Sequence, residues 1–205
     1  SRSSIYQYSN EGTNTGIKNS HCGNTVFIMG SEASKVFPPP CVMGDESIMS
    51  PKTYGTSAVP VQENLRWGCD QKVADRICNF NRHYAERSGY FLSTTFLTDE
   101  REKRADGGDK EITFYDADTG KPLFIAPRGR SFEDFVKESR AHGWPSFRDE
   151  EVVWDNVRCL PDGETVSITG THLGHNLPDG KGSRYCINLV CVAGRPTDGE
   201  ITDVN

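Results

Sequence analysis

No apolar run in this chain is long enough to cross a bilayer as a helix. There is no basic excess either. Acidic side chains number 29 against 23 basic ones, and the resulting net charge of −6, with no basic stripe, argues against nucleic acid as a partner. The Asn-x-Ser/Thr pattern that accepts N-linked sugar is absent. What the chain does not lack is cysteine: seven, at 22, 41, 69, 78, 159, 186 and 191. If one is a working thiol, six remain for up to three disulfides in an oxidising compartment, or stay reduced in a reducing one.

A length of 205 residues suits one domain with an appendage, or at most two small domains. Residues 1–62 are rich in Ser, Gly, Asn and Pro, include Pro38-Pro39-Pro40, and show no sustained helix or strand period. Their apolar anchors are Val26 to Met29 and Val36-Phe37. This segment is expected to be an extended arm that docks on the domain or on a larger assembly. Residues 63–205 are expected to form the domain. The first residue is Ser1, and with the arm this leads to the expectation of a eukaryotic organelle, plastid or mitochondrion.

Within the domain, Val73, Ile77, Phe80 and Tyr84 recur at helical spacing, with Gly89 beyond the end. Tyr90 to Leu97 is aromatic and β-branched and predicts a strand. Thr98 to Lys110 predicts a charged, exposed loop. Glu111 to Tyr115 and Leu123 to Ala126 predict two strands joined by a turn. Ser131 and Asp134 have the spacing of a helix start, Phe132, Phe135 and Val136 supply an apolar side, and Gly143 follows as a stop. Glu151 to Cys159, Glu164 to Thr169 and Arg184 to Val192 predict the remaining strands. Short strands with few helices predict an α+β fold, mainly antiparallel, with peripheral helices.

Chemistry concentrates between Thr171 and Val190. On a strand of period two, Arg184, Cys186 and Asn188 project from one face, and Tyr185, Ile187 and Leu189 from the other. Pro178 to Gly182 is a turn that folds His172 and His175 back towards that strand. A thiol beside a cation and two histidines suits nucleophilic chemistry with proton transfer; a structural cysteine beside surface histidines is the bland alternative.

His172-Leu-Gly-His175, Pro178-Asp-Gly180 and Arg184-Tyr-Cys-Ile-Asn188 resemble, in that order, the signature of the B-type methionine sulfoxide reductases. Gly143-Trp-Pro-Ser-Phe147 and Lys121-Pro-Leu-Phe124 resemble two further motifs of that family, and the run from His83 to Phe91 resembles a diverged third. The resemblance covers roughly Asp70 to Pro196. It implies two small packed antiparallel sheets and reduction of methionine R-sulfoxide, protein-bound or free, through a sulfenic acid on Cys186. It further implies His172 or His175 as proton donor, Asp179 and Asn188 as residues that hold water, substrate and the histidines, and Arg184 as the cation that favours the thiolate. Trp144 packs on the substrate methyl group in this reading, and Phe147 backs it. No cofactor is implied beyond a thioredoxin-like or other thiol reductant.

The departures are specific. Many family members hold a zinc ion with two C-x-x-C pairs, but the corresponding positions here are Asp116, Thr119, Val166 and Thr169. No zinc site of that kind is expected. Leu177 replaces an aromatic. His142 stands where many members carry a resolving cysteine, which leaves Cys159, on a strand expected nearby, as the first candidate to resolve Cys186, with an arm cysteine, Cys22 or Cys41, or direct reduction by an external thiol as the alternatives. The arm, Leu177 and His142 also support a second reading: a non-catalytic docking subunit that retains the reductase fold.

Overall fold

The computed structural model describes residues 35–197 apart from Asp106 and Asp109. The expected arm therefore falls outside the described residues over positions 1–34, Cys22 included. Its described part, 35–62, runs along the domain. The Cys159 N–H donates to the Val42 carbonyl and the Gly44 N–H to that of Cys159, which extends one sheet edge. Phe37, Cys41, Met49 and Val61 are buried there.

Among the described residues, seven strands form two antiparallel sheets. Ile112–Tyr115 (β1) and Pro122–Ala126 (β2) make a hairpin. The larger sheet has the order β3-β7-β6-β5-β4, with β3 Ser146–Phe147, β4 Val157–Cys159, β5 Glu164–Ser167, β6 His172–Asn176 and β7 Tyr185–Ile187. Aromatic rings join the two: Phe147 stacks on Phe124 at 4.3 Å and meets Phe114 edge-on at 4.9 Å. The α+β architecture is as the pattern predicts.

The helix Phe132–His142 (numbered α3) forms for the reasons its sequence suggests. Ser131 Oγ accepts from the Asp134 N–H, Phe132, Phe135 and Val136 are buried, and Gly143 closes the last turn at φ 89°. Ser139 Oγ then accepts from the Ser146 N–H at 3.1 Å and ties the helix to β3. Ser131→Ala should lower unfolding free energy by about 1 kcal/mol. Urea denaturation would show it, and an unchanged midpoint would mean that the cap contributes nothing.

Other expectations fail locally. The helix from Asp70 starts as α1, Gln71–Asp75, then widens into a π-helical turn over Arg76–Phe80 and stops. Widening rotates later residues off the first face: Ile77 is buried, but Phe80 and Tyr84 are 57% and 49% exposed. Tyr90 to Leu97 is not a strand. Tyr90–Ser93 is a 3₁₀ turn and Phe96–Glu102 is the helix α2. Thr94 Oγ1 accepts from the Phe96 N–H, Thr95 Oγ1 donates to Asp99 Oδ2, and Phe91, Phe96 and Leu97 enter the core, so packing overrides β propensity. The expected charged loop accordingly begins as helix, with Glu100 buried and receiving the Trp67 indole N–H.

Of Glu151 to Cys159 only the last three residues are strand; Asp149–Glu151 is a 3₁₀ turn. The strand expected from Arg184 to Val192 ends at Ile187. The Glu86 carboxylate captures the N–H groups of Leu189 and Val190, and these residues turn into a 3₁₀ helix instead of continuing a ladder.

The positions aligned with the family's zinc ligands form a hydrogen-bonded knot. Asp116 Oδ2 accepts from Thr119 Oγ1 at 2.9 Å and from Thr169 Oγ1 at 3.1 Å, while Thr171 Oγ1 lies within 3.1 Å of both Asp116 and Asp118. Val166 does not join them; it packs with Met49 and Leu160. Burial and the Asp116 charge push the Asp118 carboxyl up to about 7.

Candidate active site

The site grows from the pairing of β6 with β7. His175 lies directly opposite Cys186, so both side chains leave the same face of the sheet. Ser146 flanks Cys186 from the other side, on β3. His172 is three residues before His175, an odd spacing that would put it on the opposite face of a regular strand. An irregularity in the β5–β6 register, where Thr165 pairs with Gly174 and Val166 with His172, skips Leu173 and restores the face. Leu173 is buried in the core, and the two imidazole rings meet edge-on at 5.7 Å. Gly174 is required there. Its φ is 156°, and a Cβ would fall 2.1 Å from the Cys186 carbonyl oxygen.

Cys186, His172, His175, Asn188, Trp144 and Leu177 line one cleft with His83, Tyr84, Ala85 and Gly174, a space of about 280 Å³. No residue of 35–62 is among its lining. The wall opposite the sheet is the loop after α1. Its anchor is Glu86, whose backbone N–H donates to Asn188 Oδ1 at 2.9 Å and whose carbonyl accepts from Trp144 Nε1 at 3.1 Å. Asn188 Nδ2 donates to the Leu173 carbonyl. Both polar ends of Asn188 are thus engaged with backbone, and the residue braces β6 and the loop against the turn after β7.

Charge is arranged in a second layer. Buried Glu164 receives His172 Nδ1 at 2.6 Å and Arg82 Nε at 2.9 Å. Burial acts to raise the Glu164 carboxyl, but these two partners hold it below the usual carboxylate range. With Nδ1 turned to a carboxylate, Nε2 is the nitrogen of His172 left to handle a proton. His175 is pushed down from its ordinary value, first by burial and then by the neighbouring His172, so it is neutral at pH 7.

Burial pushes the Cys186 thiol up, and the Arg184 guanidinium beside it offsets only part of that. The thiol is therefore protonated at rest, where a cationic neighbour alone would predict a thiolate. Arg184 is 8% exposed, its Nη1 has no hydrogen-bond partner among the described residues, and its Nε lies 3.5 Å from Asp179 Oδ2.

Asp179 does not reach the cleft. It takes a two-pronged contact from Arg148, at 3.1 and 2.8 Å, which holds its carboxyl well below the usual range. Its place is behind Arg184. Phe147 does not reach the cleft either: it is fully buried among Phe114, Phe124 and Phe135. Cys159 is fully buried on β4, and β5 and β6 stand between it and β7, roughly 14 Å at ordinary strand spacing. It neighbours Cys41 instead. Cys78 and Cys191 form another buried thiol pair at 2.9 Å.

Sequence reasoning missed Glu164, Arg82, Glu86 and Arg148. A buried charge gives no local sequence signal, because its partners lie 8 to 104 positions away. Glu138, His142 and Asp179 are the one group among the described residues close enough to share a metal ion. Arg148 already bonds both carboxylates, so a metal ion there would face a guanidinium.

Comparison with known proteins points the same way as the motifs. Over 77 residues the chain is 38% identical to the peptide methionine sulfoxide reductase MsrB of Pseudomonas entomophila, a match that covers 33% of this chain and 59% of that protein. Over 89 residues it is 38% identical to the MsrB of a Pseudomonas putida strain, covering 38% and 62%. The chain thus spans about 60% of the length of these curated relatives. No family model matches, and no solved structure matches. What the comparisons support is a domain similar to the MsrB reductases.

On a catalytic reading of this cleft, Glu164→Gln should lower kcat/KM about 10²-fold, because His172 Nδ1 loses the carboxylate that fixes the orientation of its ring. A kcat/KM equal to that of the wild type would show that the carboxylate is not needed to position His172.

Proposed function

We propose that this domain reduces methionine R-sulfoxide, protein-bound or free, to methionine. The observation that carries the reading is the shared cleft of Cys186, His172, His175 and Trp144. Protonated His172 donates from Nε2 to the sulfoxide oxygen, which is otherwise too basic to leave. Cys186 gives up its proton and attacks the sulfoxide sulfur, with Arg184 balancing the thiolate as it forms. The oxygen passes to the cysteine: the sulfoxide is reduced by two electrons to the thioether, and Cys186 becomes a sulfenic acid. Trp144 offers an apolar face for the terminal methyl group. Neutral His175, opposite Cys186, is placed to accept the thiol proton.

Among the described residues no second thiol lines the cleft. Regeneration is therefore assigned to an external thiol reductant, thioredoxin-like or small: two thiols return Cys186 to its reduced form and yield a disulfide and water. Single-turnover quench without reductant tests the reading. About one methionine released per chain supports the reductase; none, from folded protein with Cys186 reduced, leaves the docking subunit as the function of the fold.

A further inference from the structure

A second depression adjoins the cleft. It occupies about 540 Å³, and Tyr84 and Ala85 line both, so a single two-residue wall divides them. Lys72, Arg76 and Arg87 also line this second space. We propose that it is a substrate subsite for an acidic side chain neighbouring the oxidised methionine in a peptide or protein. The inference rests on the reductase reading and names the class of substrate that the site prefers.

The charges around the depression differ from those around the cleft. Most arginines near the site are committed to carboxylates: Arg82 to Glu164 and Glu46, Arg130 to Glu138 and Glu151, Arg148 to Glu138 and Asp179. Lys72, Arg76 and Arg87 form no ion pair among the described residues, although the whole chain carries a net charge of −6. Arg76 lies with its guanidinium 4.1 Å above the Tyr84 ring, which fixes a cation on the dividing wall itself. Arg87 is steadied by Ser93 Oγ at 2.8 Å.

Two acids line the same space, and both are occupied. Asp70 accepts the N–H groups of Lys72 and Val73 as the cap of α1. Glu86 turns inward onto the N–H groups of Leu189 and Val190. The depression thus presents three cations and two engaged carboxyls. A peptide crossing the Tyr84–Ala85 wall would set its sulfoxide on the Cys186 side and a neighbouring side chain beside Arg76 and Arg87. An aspartate or glutamate there gains the cations; a lysine meets repulsion.

The test uses three peptides identical except next to methionine R-sulfoxide, where they carry Glu, Gln or Lys, with free methionine R-sulfoxide assayed alongside. At low ionic strength the Glu peptide should exceed the Lys peptide in kcat/KM about fivefold, a magnitude suited to exposed charge pairs, and the ratio should fall towards one in high salt. Arg76→Glu should abolish or invert the ratio and Arg87→Gln should reduce it, whatever the absolute rate of each variant. Equal rates on all three peptides, or a preference that survives Arg76→Glu, overturns the subsite while leaving the reductase intact. Absence of turnover on every substrate, free sulfoxide included, removes the reductase reading and the subsite with it.

Discussion

Cys186→Ser is expected to release no methionine from a methionine R-sulfoxide substrate, a loss of at least about 10⁴-fold in the single-turnover rate. The size follows from the chemistry more than from nucleophilicity. Sulfur can take up the departing oxygen as a sulfenic acid, whereas a serine hydroxyl would have to become a hydroperoxide, which is strongly uphill. The substitution is nearly isosteric and Cys186 is only partly buried, so the β6–β7 pairing should persist and thermal unfolding should change little. Rapid-quench product analysis compares the two proteins, with the melting curve as the control for folding. Methionine release by the serine variant at the wild-type rate would move the chemistry to another group.

The wild-type rate should also carry a pH signature. Burial raises the Cys186 thiol above its ordinary value, so thiolate supply, and with it the single-turnover rate of wild type at saturating substrate, should still be climbing above pH 8.

The parts of this site that could be read from the chain are those that lie close together along it. His172, His175 and Cys186 share one cleft because two adjacent strands and a turn join them, and that grouping was visible as a short run. The direction of β7 was visible too: Tyr185 and Ile187 are fully buried, while Cys186 between them lines the cleft. The face of His172 was not visible. It depends on a skipped residue and a glycine, and no alternation rule contains a bulge. Phe147 shows another limit. An aromatic next to a site motif serves the core as readily as the substrate, and its ring partners come from β1, β2 and α3, far away in sequence. Cys159 was misplaced because strand order, unlike strand existence, is not encoded locally; β6 had not been foreseen as a strand between β5 and β7. The pairs Glu164 with His172 and Glu86 with Val190 belong to the same class of long-range facts.

Glu86→Gln should remove a pH dependence of stability that the wild type carries between about pH 4.5 and 7. Burial pushes the Glu86 carboxyl up from its ordinary 4.5 to about 7, against the opposing hydrogen bonds from Leu189 and Val190. A carboxyl raised in the folded state holds its proton more tightly there than in the unfolded chain. Unfolding free energy therefore falls as pH rises through this window, by up to about 3 kcal/mol for Glu86 alone, and levels off above it. Asp118, raised to about 7 by burial and Asp116, adds a slope of the same sign that the variant keeps. The lowered carboxyls Asp179 and Glu164 act in the other direction and only below their ordinary range, so maximum stability should fall near pH 5. Glutamine puts an NH2 donor where the protonated acid still has a second oxygen, so one backbone N–H loses its acceptor at a cost of about 1–3 kcal/mol. The variant should thus be less stable than wild type at pH 5, with the gap closing or reversing at pH 8. Urea unfolding at the two pH values reads this directly, and parallel shifts in both proteins would show that Glu86 ionises as it does in the unfolded chain. The backbone of the same residue braces the loop of His83, Tyr84 and Ala85 against Asn188 and holds the Trp144 indole, so the stability read at Glu86 is that of the wall between the cleft and its neighbour.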